Sequence, residues 1–81
     1  MKSEIKTLGH MHPGQSARIC ELKNIGTMRR RLIDLGFAKG SEVCCIGVAP
    51  LGDPKAYLIK GAVIALREED SKKIAVNIIP E

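Results

Sequence analysis

The spacing of apolar residues changes period once along this chain, and that single change restricts the fold more than any other feature. In residues 27–35, TMRRRLIDL, Met28, Leu32 and Leu35 recur at i, i+4 and i+7, the spacing of one helix face. Every other regular pattern reads as strand. Residues 16–22, SARICEL, set Ala17 and Ile19 against Arg18 and Cys20 on opposite faces. Residues 41–48 (SEVCCIGV), 55–60 (KAYLIK), 62–67 (AVIALR) and 74–79 (IAVNII) are β-prone runs separated by turn residues. Gly61 alone between two runs predicts a tight hairpin with positive φ, whose second arm places Ala62, Ile64 and Leu66 on one face. In the last run Ile74, Val76 and Ile78 face inward. Thr27 stands where it can cap the helix, and Gly36 where a left-handed residue ends it, with Phe37 folding back toward Leu32. Leu8, Met11 and the Pro13-Gly14 turn predict a short helical turn ahead of the first strand.

About five strands with one helix inserted between the first two, in 81 residues, fit a small β-barrel better than an open sheet, because closure removes exposed edges. A chain of this size carries one core, and no linker, repeat or low-complexity stretch divides it, so residues 1–81 are expected to be one domain. No apolar run approaches the roughly 18 residues of a membrane span. The N-terminus, MKSEIKTLGHM, lacks the uninterrupted apolar stretch of a secretory signal, which predicts a cytoplasmic protein. Cys20, Cys44 and Cys45 are odd in number, and the adjacent pair must point to opposite faces of a strand. Free thiols in a reducing compartment follow, rather than a disulfide framework.

The chemistry-bearing residues are few. No nucleophile elbow, phosphate-cradling glycine loop or paired-carboxylate motif occurs, so the chain reads as a binding module rather than an enzyme. His10 and His12, with Glu4 nearby, are the candidate ligands for zinc or another divalent ion, though structural zinc asks for four ligands. The formal charge of +4 is uneven, residues 1–40 holding eight Lys and Arg against three acids. Arg29, Arg30 and Arg31 fall in the first turns of the helix, where the macrodipole makes a cation cost a few tenths of a kcal/mol. Asp34 offsets this only in part, by pairing with Arg30 or Arg31 in the less favourable order. A basic run kept at an unfavourable place reads either as a solvated face with its arginine stems partly packed or as an exposed patch that meets an acidic partner. Nucleic acid is not the expected partner, since Tyr57 and Phe37 are the only aromatics and stacking platforms need several. The stretch Ala49-Pro50-Leu51-Gly52-Asp53-Pro54 forms a stiff loop with Leu51 at its tip, placed either on the core or before a partner.

Taken in order, RRRLIDLGFAKGSEV, APLGDP, a strand followed by Gly61, IALREED and IAVNII resemble the FeoA family of the bacterial ferrous iron transport system. The resemblance runs from the Leu8, Met11, Pro13-Gly14 opening to Val76. It implies an SH3-like β-barrel with an inserted helix. It also implies a small non-enzymatic protein that works with the FeoB permease, which carries a cytosolic GTPase domain, and that lies at the inner membrane only through this partner. Carried over residue by residue, Arg31, Leu32, Asp34, Leu35, Gly36 and Gly40 match the helix motif. Leu32 and Leu35 serve there as core, Gly36 and Gly40 as turn residues. Pro50, Gly52, Asp53 and Pro54 match the loop motif. Ala65, Leu66 and Arg67 match the strand motif ending at the acidic turn Glu68-Glu69-Asp70, with which Arg67 is expected to pair. The partner surface is accordingly expected at Arg29, Arg30, Arg31, Leu51 and Asp53. Families of this kind also imply transition-metal binding. No matching residue is an obvious ligand, so a divalent iron or zinc ion at His10 and His12 stays the only metal reading. Besides docking on FeoB, the alternatives are a metal-binding regulatory module and, with less support, a small basic nucleic-acid-binding barrel; self-association is compatible with each.

Overall fold

The computed structural model of the chain describes residues 5–80. Six strands form one antiparallel sheet: β1 (Ile5–Thr7), β2 (Ser16–Leu22), β3 (Glu42–Val48), β4 (Lys55–Ile59), β5 (Ala62–Leu66) and β6 (Ile74–Ile79). Their order across the sheet is β1-β6-β2-β3-β4-β5. A 3-10 turn, Leu8–His10, follows β1, the helix α1 (Gly26–Asp34) joins β2 to β3, and a short helix α2 (Glu68–Ser71) joins β5 to β6. The inward residues are those the alternation predicts. Ala17, Ile19, Val43, Cys45, Tyr57, Ile59, Ile74 and Val76 bury one sheet face together with Leu8, Met11, Leu32 and Phe37. Bulges at Cys20 and Ile46 shift the register, which is why burial in β2 steps from Ile19 to Leu22.

The mainly-β class, the inserted helix and the N-terminal helical turn are as expected, with four differences. The sheet has six strands rather than about five, because the three residues of β1, too few to show a period, pair with Ala75, Val76 and Asn77 of β6. It is not closed by hydrogen bonds: β1 and β5 are both edges. The acidic turn at Glu68-Glu69-Asp70 is a one-turn helix, its three acids lying in the first turn where the dipole favours them. Thr27 is not the cap of α1, since Ile25 holds that position with no side-chain cap and Thr27 lies inside the helix.

The end of α1 does follow the sequence reading. The Phe37 N–H donates to the Leu32 carbonyl at 2.9 Å and the Gly36 N–H to the Ile33 carbonyl at 3.0 Å, the paired bonds of a Schellman stop. Gly36 has φ +109°, and a Cβ built there would stand 2.6 Å from Lys60 Cγ. Two conditions therefore fall on one residue: left-handed backbone and no side chain. Lys60 forms the β4–β5 hairpin with Gly61, both at positive φ (51° and 80°), as the two-residue turn requires. Helix stop and hairpin tip thus lock together. Gly36→Ala is expected to lower stability by about 1–3 kcal/mol through backbone strain and displacement of Lys60. Urea unfolding followed by circular dichroism measures it, and a loss under about 0.5 kcal/mol would mean that the tip shifts freely.

Candidate functional site

The three arginines of α1 are divided by the helix. Arg29 turns back to β2, its Nη1 donating to the Leu22 carbonyl at 2.6 Å, so it ties the helix to the sheet. Arg30 lines a shallow exposed cleft with Gly26, Ile33 and Asp34. Arg31 lies along a different cleft, formed by Met28, Leu32 and Leu35 of α1 and by Ile64, Ala65, Leu66, Arg67 and Asp70. Asp34 makes no ion pair with Arg30 or Arg31 among the described residues. Two apolar residues outside the sequence expectation are exposed: Ile33, 45% exposed, which lines the Arg30 cleft, and Ile25 just before the helix, 81% exposed. Ile33 could have been found, because it falls off the stripe of Met28, Leu32 and Leu35 that faces the core.

The loop of residues 49–54 is pinned from both sides. A turn closes it, the Gly52 N–H donating to the Ala49 carbonyl at 2.8 Å, and leaves Leu51 at the corner with 96% of its surface exposed. Of the two placements considered for Leu51, the exposed one holds. Asp53 Oδ1 accepts the Glu68 N–H at 2.8 Å and so caps α2 from across the fold, while Oδ2 stands 3.9 Å from Arg67 Nη1. Arg67 therefore pairs with Asp53 and not with the acids that follow it in sequence. This is a register effect: Lys55 lies opposite Leu66, which brings the residues just before β4, Asp53 among them, beside Arg67 just after β5.

Two β4 side chains without a motif do structural work of the same kind. Lys55 Nζ donates to the carbonyls of Gly9 and Met11, each at 2.8 Å, and the Tyr57 hydroxyl donates to the Leu8 carbonyl at 3.2 Å. The 3-10 turn is held by these bonds. Burial pushes the Tyr57 phenol up to about 12, because a phenolate there would lose its water.

Among the described residues, the candidate ligands do not come together as a metal site. His10 Nδ1 accepts the Thr7 N–H at 3.1 Å and lies 3.0 Å from Thr7 Oγ1, so one ring nitrogen is committed to closing the 3-10 turn. His12 is exposed, and Glu4 lies outside the described residues. Among the described residues, no group of three or more His, Cys, Asp or Glu converges on one point. Cys20, Cys44 and Cys45 are free, and Cys45 is fully buried.

Comparisons with known proteins place this geometry. Residues 6–78 match the FeoA domain family. The chain is 36% identical over 72 residues to an Fe(2+) transport protein A/Fe(2+) transporter FeoB fusion protein of Porphyromonas gingivalis, covering 89% of this chain and 8% of that protein. The solution structure of iron(II) transport protein A from Clostridium thermocellum superposes with a TM-score of 0.85 at 36% identity, over 90% of this chain and 45% of that one. A Stenotrophomonas maltophilia FeoA crystallised in complex with zinc, an SH3 domain protein, gives a TM-score of 0.78 at 29% identity, with 88% of each chain covered. The sheet is thus SH3-like.

Two expectations follow from the pinned loops. Tyr57 is the only tyrosine, so phenolate absorbance reports it alone, and its native midpoint should lie near 12. The unfolded phenol loses its proton at about 10 while the folded one keeps it, so this contribution is complete below pH 10 and falls by about 1.4 kcal/mol per pH unit from 10 to 12. A native midpoint at 10 would refute the burial. Asp53→Ala should cost about 1 kcal/mol in a urea melt by uncapping α2, with amide shifts concentrated at Arg67 to Ser71; shifts confined to the loop would contradict the cap.

Proposed function

Given that the chain belongs to the FeoA family, we propose that it is a non-enzymatic accessory protein of ferrous iron uptake that docks on the cytosolic, GTPase-bearing region of a FeoB-type permease and modulates transport. The single observation that carries this reading is the relative in which a transport protein A segment and a FeoB transporter form one polypeptide. Two functions joined in one chain act at one place, and a transport protein A domain can act on a FeoB transporter by binding it. The chain spans about 8% of that relative, so the transport chemistry lies elsewhere. Among the described residues no helix is long and apolar enough to cross a membrane, which fits a cytoplasmic protein held at the membrane by its partner.

Such a protein can shift the permease only by binding one of its states more tightly than another. The surface expected to do so includes Arg30 and Arg31, which are free to meet acids, and the exposed Leu51; Arg29 and Asp53 contribute by fixing α1 and the loop. Ferrous iron is cargo of the permease in this scheme. The zinc carried by the Stenotrophomonas FeoA supports a metal-binding regulatory reading for that protein, whereas here one nitrogen of His10 is already occupied.

Calorimetric titration against the soluble cytosolic region of the cognate permease, at about 0.15 M salt to screen loose charge attraction, tests the proposal. Saturable one-to-one binding is expected, and Arg30→Glu should weaken it at least about tenfold, near 1.4 kcal/mol, without changing the melting temperature. Binding unaffected by Arg30→Glu would remove the outer arginine face from the interface. Absence of any complex would refute docking on this region.

A further inference from the structure

β5 is an edge strand that carries none of the usual protections. Its five residues, AVIAL, include no charge and no proline, and its pairing with β4 runs without a bulge. The pair flanking a two-residue hairpin loop, here Ile59 and Ala62, exchanges both of its backbone hydrogen bonds, and the pattern then alternates. Ala62, Ile64 and Leu66 therefore bond to β4. The N–H and C=O groups of Val63 and Ala65 point to the open edge, and among the described residues no turn, loop or cap bond satisfies them. Val63 is 64% exposed.

A groove runs beside this edge. Its floor and far wall are Met28, Leu32 and Leu35 of α1, and its volume is ≈ 220 Å³. Its ends are fixed by Gly36 against Lys60 at one and, at the other, by the Asn24 side chain, whose Nδ2 donates to the Asp70 carbonyl at 3.1 Å. α1 and β5 thus run side by side in opposite directions, over roughly 14 and 17 Å. An edge strand with unpaired backbone, facing a helix across a trough of apolar residues rimmed by charged ones, is the arrangement that accepts an extended peptide as an added strand.

We propose that the open edge of β5, with the groove against α1, is a strand-addition site for an extended apolar segment bearing an acidic residue, supplied by a partner protein. Charge selects this occupant. Arg31 lines the groove and Lys60 closes one end, two cations with no carboxylate partner among the described residues, against the single carboxylate of Asp70, while the charge of Arg67 is offset by Asp53. A second copy paired about a two-fold axis through Ile64 would set Arg67 of each strand opposite Gly61 of the other, next to Lys60, cation against cation. An acidic segment meets Arg31 instead. The proposal rests on the reading that this domain acts by binding another protein, and it names the surface and the mode.

Amide hydrogen exchange and binding of proline variants test it together. Proline at Ala65 removes only the N–H that faces the open edge, so Ala65→Pro should keep the fold; should it disturb the hairpin, Ala65→Lys keeps every bond to β4 and guards the edge with a charge. With the permease cytosolic region bound, the Val63 and Ala65 amides should slow at least about tenfold, and the edge variants should bind at least about tenfold more weakly. A complex formed without that protection, and with full affinity in both variants, overturns strand addition while leaving docking intact. If no complex forms at all, docking on that region fails. The peptide acetyl-Thr-Val-Asp-Val-Thr-Val-amide then decides the site: shifts at Val63 and Ala65 that saturate near roughly 1 mM and weaken in Arg31→Glu support it, and their absence overturns it. A concentration-dependent dimer abolished by Ala65→Pro would give the edge to a second copy and overturn the acidic partner.

Discussion

The stop of α1 is the constraint on which the rest of the surface depends. A helix of nine residues must satisfy its last carbonyls, and here Leu32 and Ile33 are satisfied by the N–H groups of Phe37 and Gly36. That geometry needs a left-handed residue, and the approach of Lys60 leaves no room for a side chain. Once Gly36 is fixed, Phe37 is driven into the core and α1 is aimed back along β5. The faces that Arg30 and Arg31 present follow from the same event. The helix has no side-chain cap at its start, so its position is defined from its C-terminal end and by the bond of Arg29 to Leu22.

β4 organises the opposite side of the molecule. Its inward residues are Lys55, Tyr57 and Ile59, and two of the three are polar at their tips. A lysine at the margin of a core is tolerable only where its charge is hydrogen-bonded, and Lys55 finds two carbonyls of the 3-10 turn. Bonds of this charged kind contribute roughly 1.5–3 kcal/mol each, more than neutral ones. The same strand is preceded by Asp53, which caps α2. Turn, loop and short helix are therefore fastened to one strand, which lets a protein of this size hold an exposed Leu51 on a defined corner.

What could be read from the sequence was what local chemistry decides. Helix spacing, the glycine stop and the hairpin at Gly61 each depend on residues close in the chain, and each was legible. The partners that depend on register were not. Arg67 seemed destined for the neighbouring acids but meets Asp53, because the pairing of β4 with β5 brings distant residues together. β1 was invisible, since three residues cannot display an alternation, and the acidic turn passed for a loop because one helical turn is too short to show a period. Residue type alone favours Thr27 as the cap, yet the helix begins a residue earlier at Gly26, where φ of +65° suits glycine. Of the candidate site, the arginine run was visible. Its division into one tether and two outward residues was not, because the division depends on which side of α1 the sheet lies.

Failure to close gives the sheet its asymmetry. Its two edges are unequal: β1 has three residues, while β5 has five, with two residues whose backbone groups face outward. Four such groups are enough to set the register of an extended segment. At about 0.5–1.5 kcal/mol net for each hydrogen bond, main-chain pairing alone is offset by the entropy of ordering the added residues, at roughly 1–2 kcal/mol each. Affinity must then come from side chains entering the groove and from the charge at Arg31, and it stays modest. Modest affinity suits an accessory that acts by favouring one state of a cycling partner, because a ligand that held every state tightly would shift nothing.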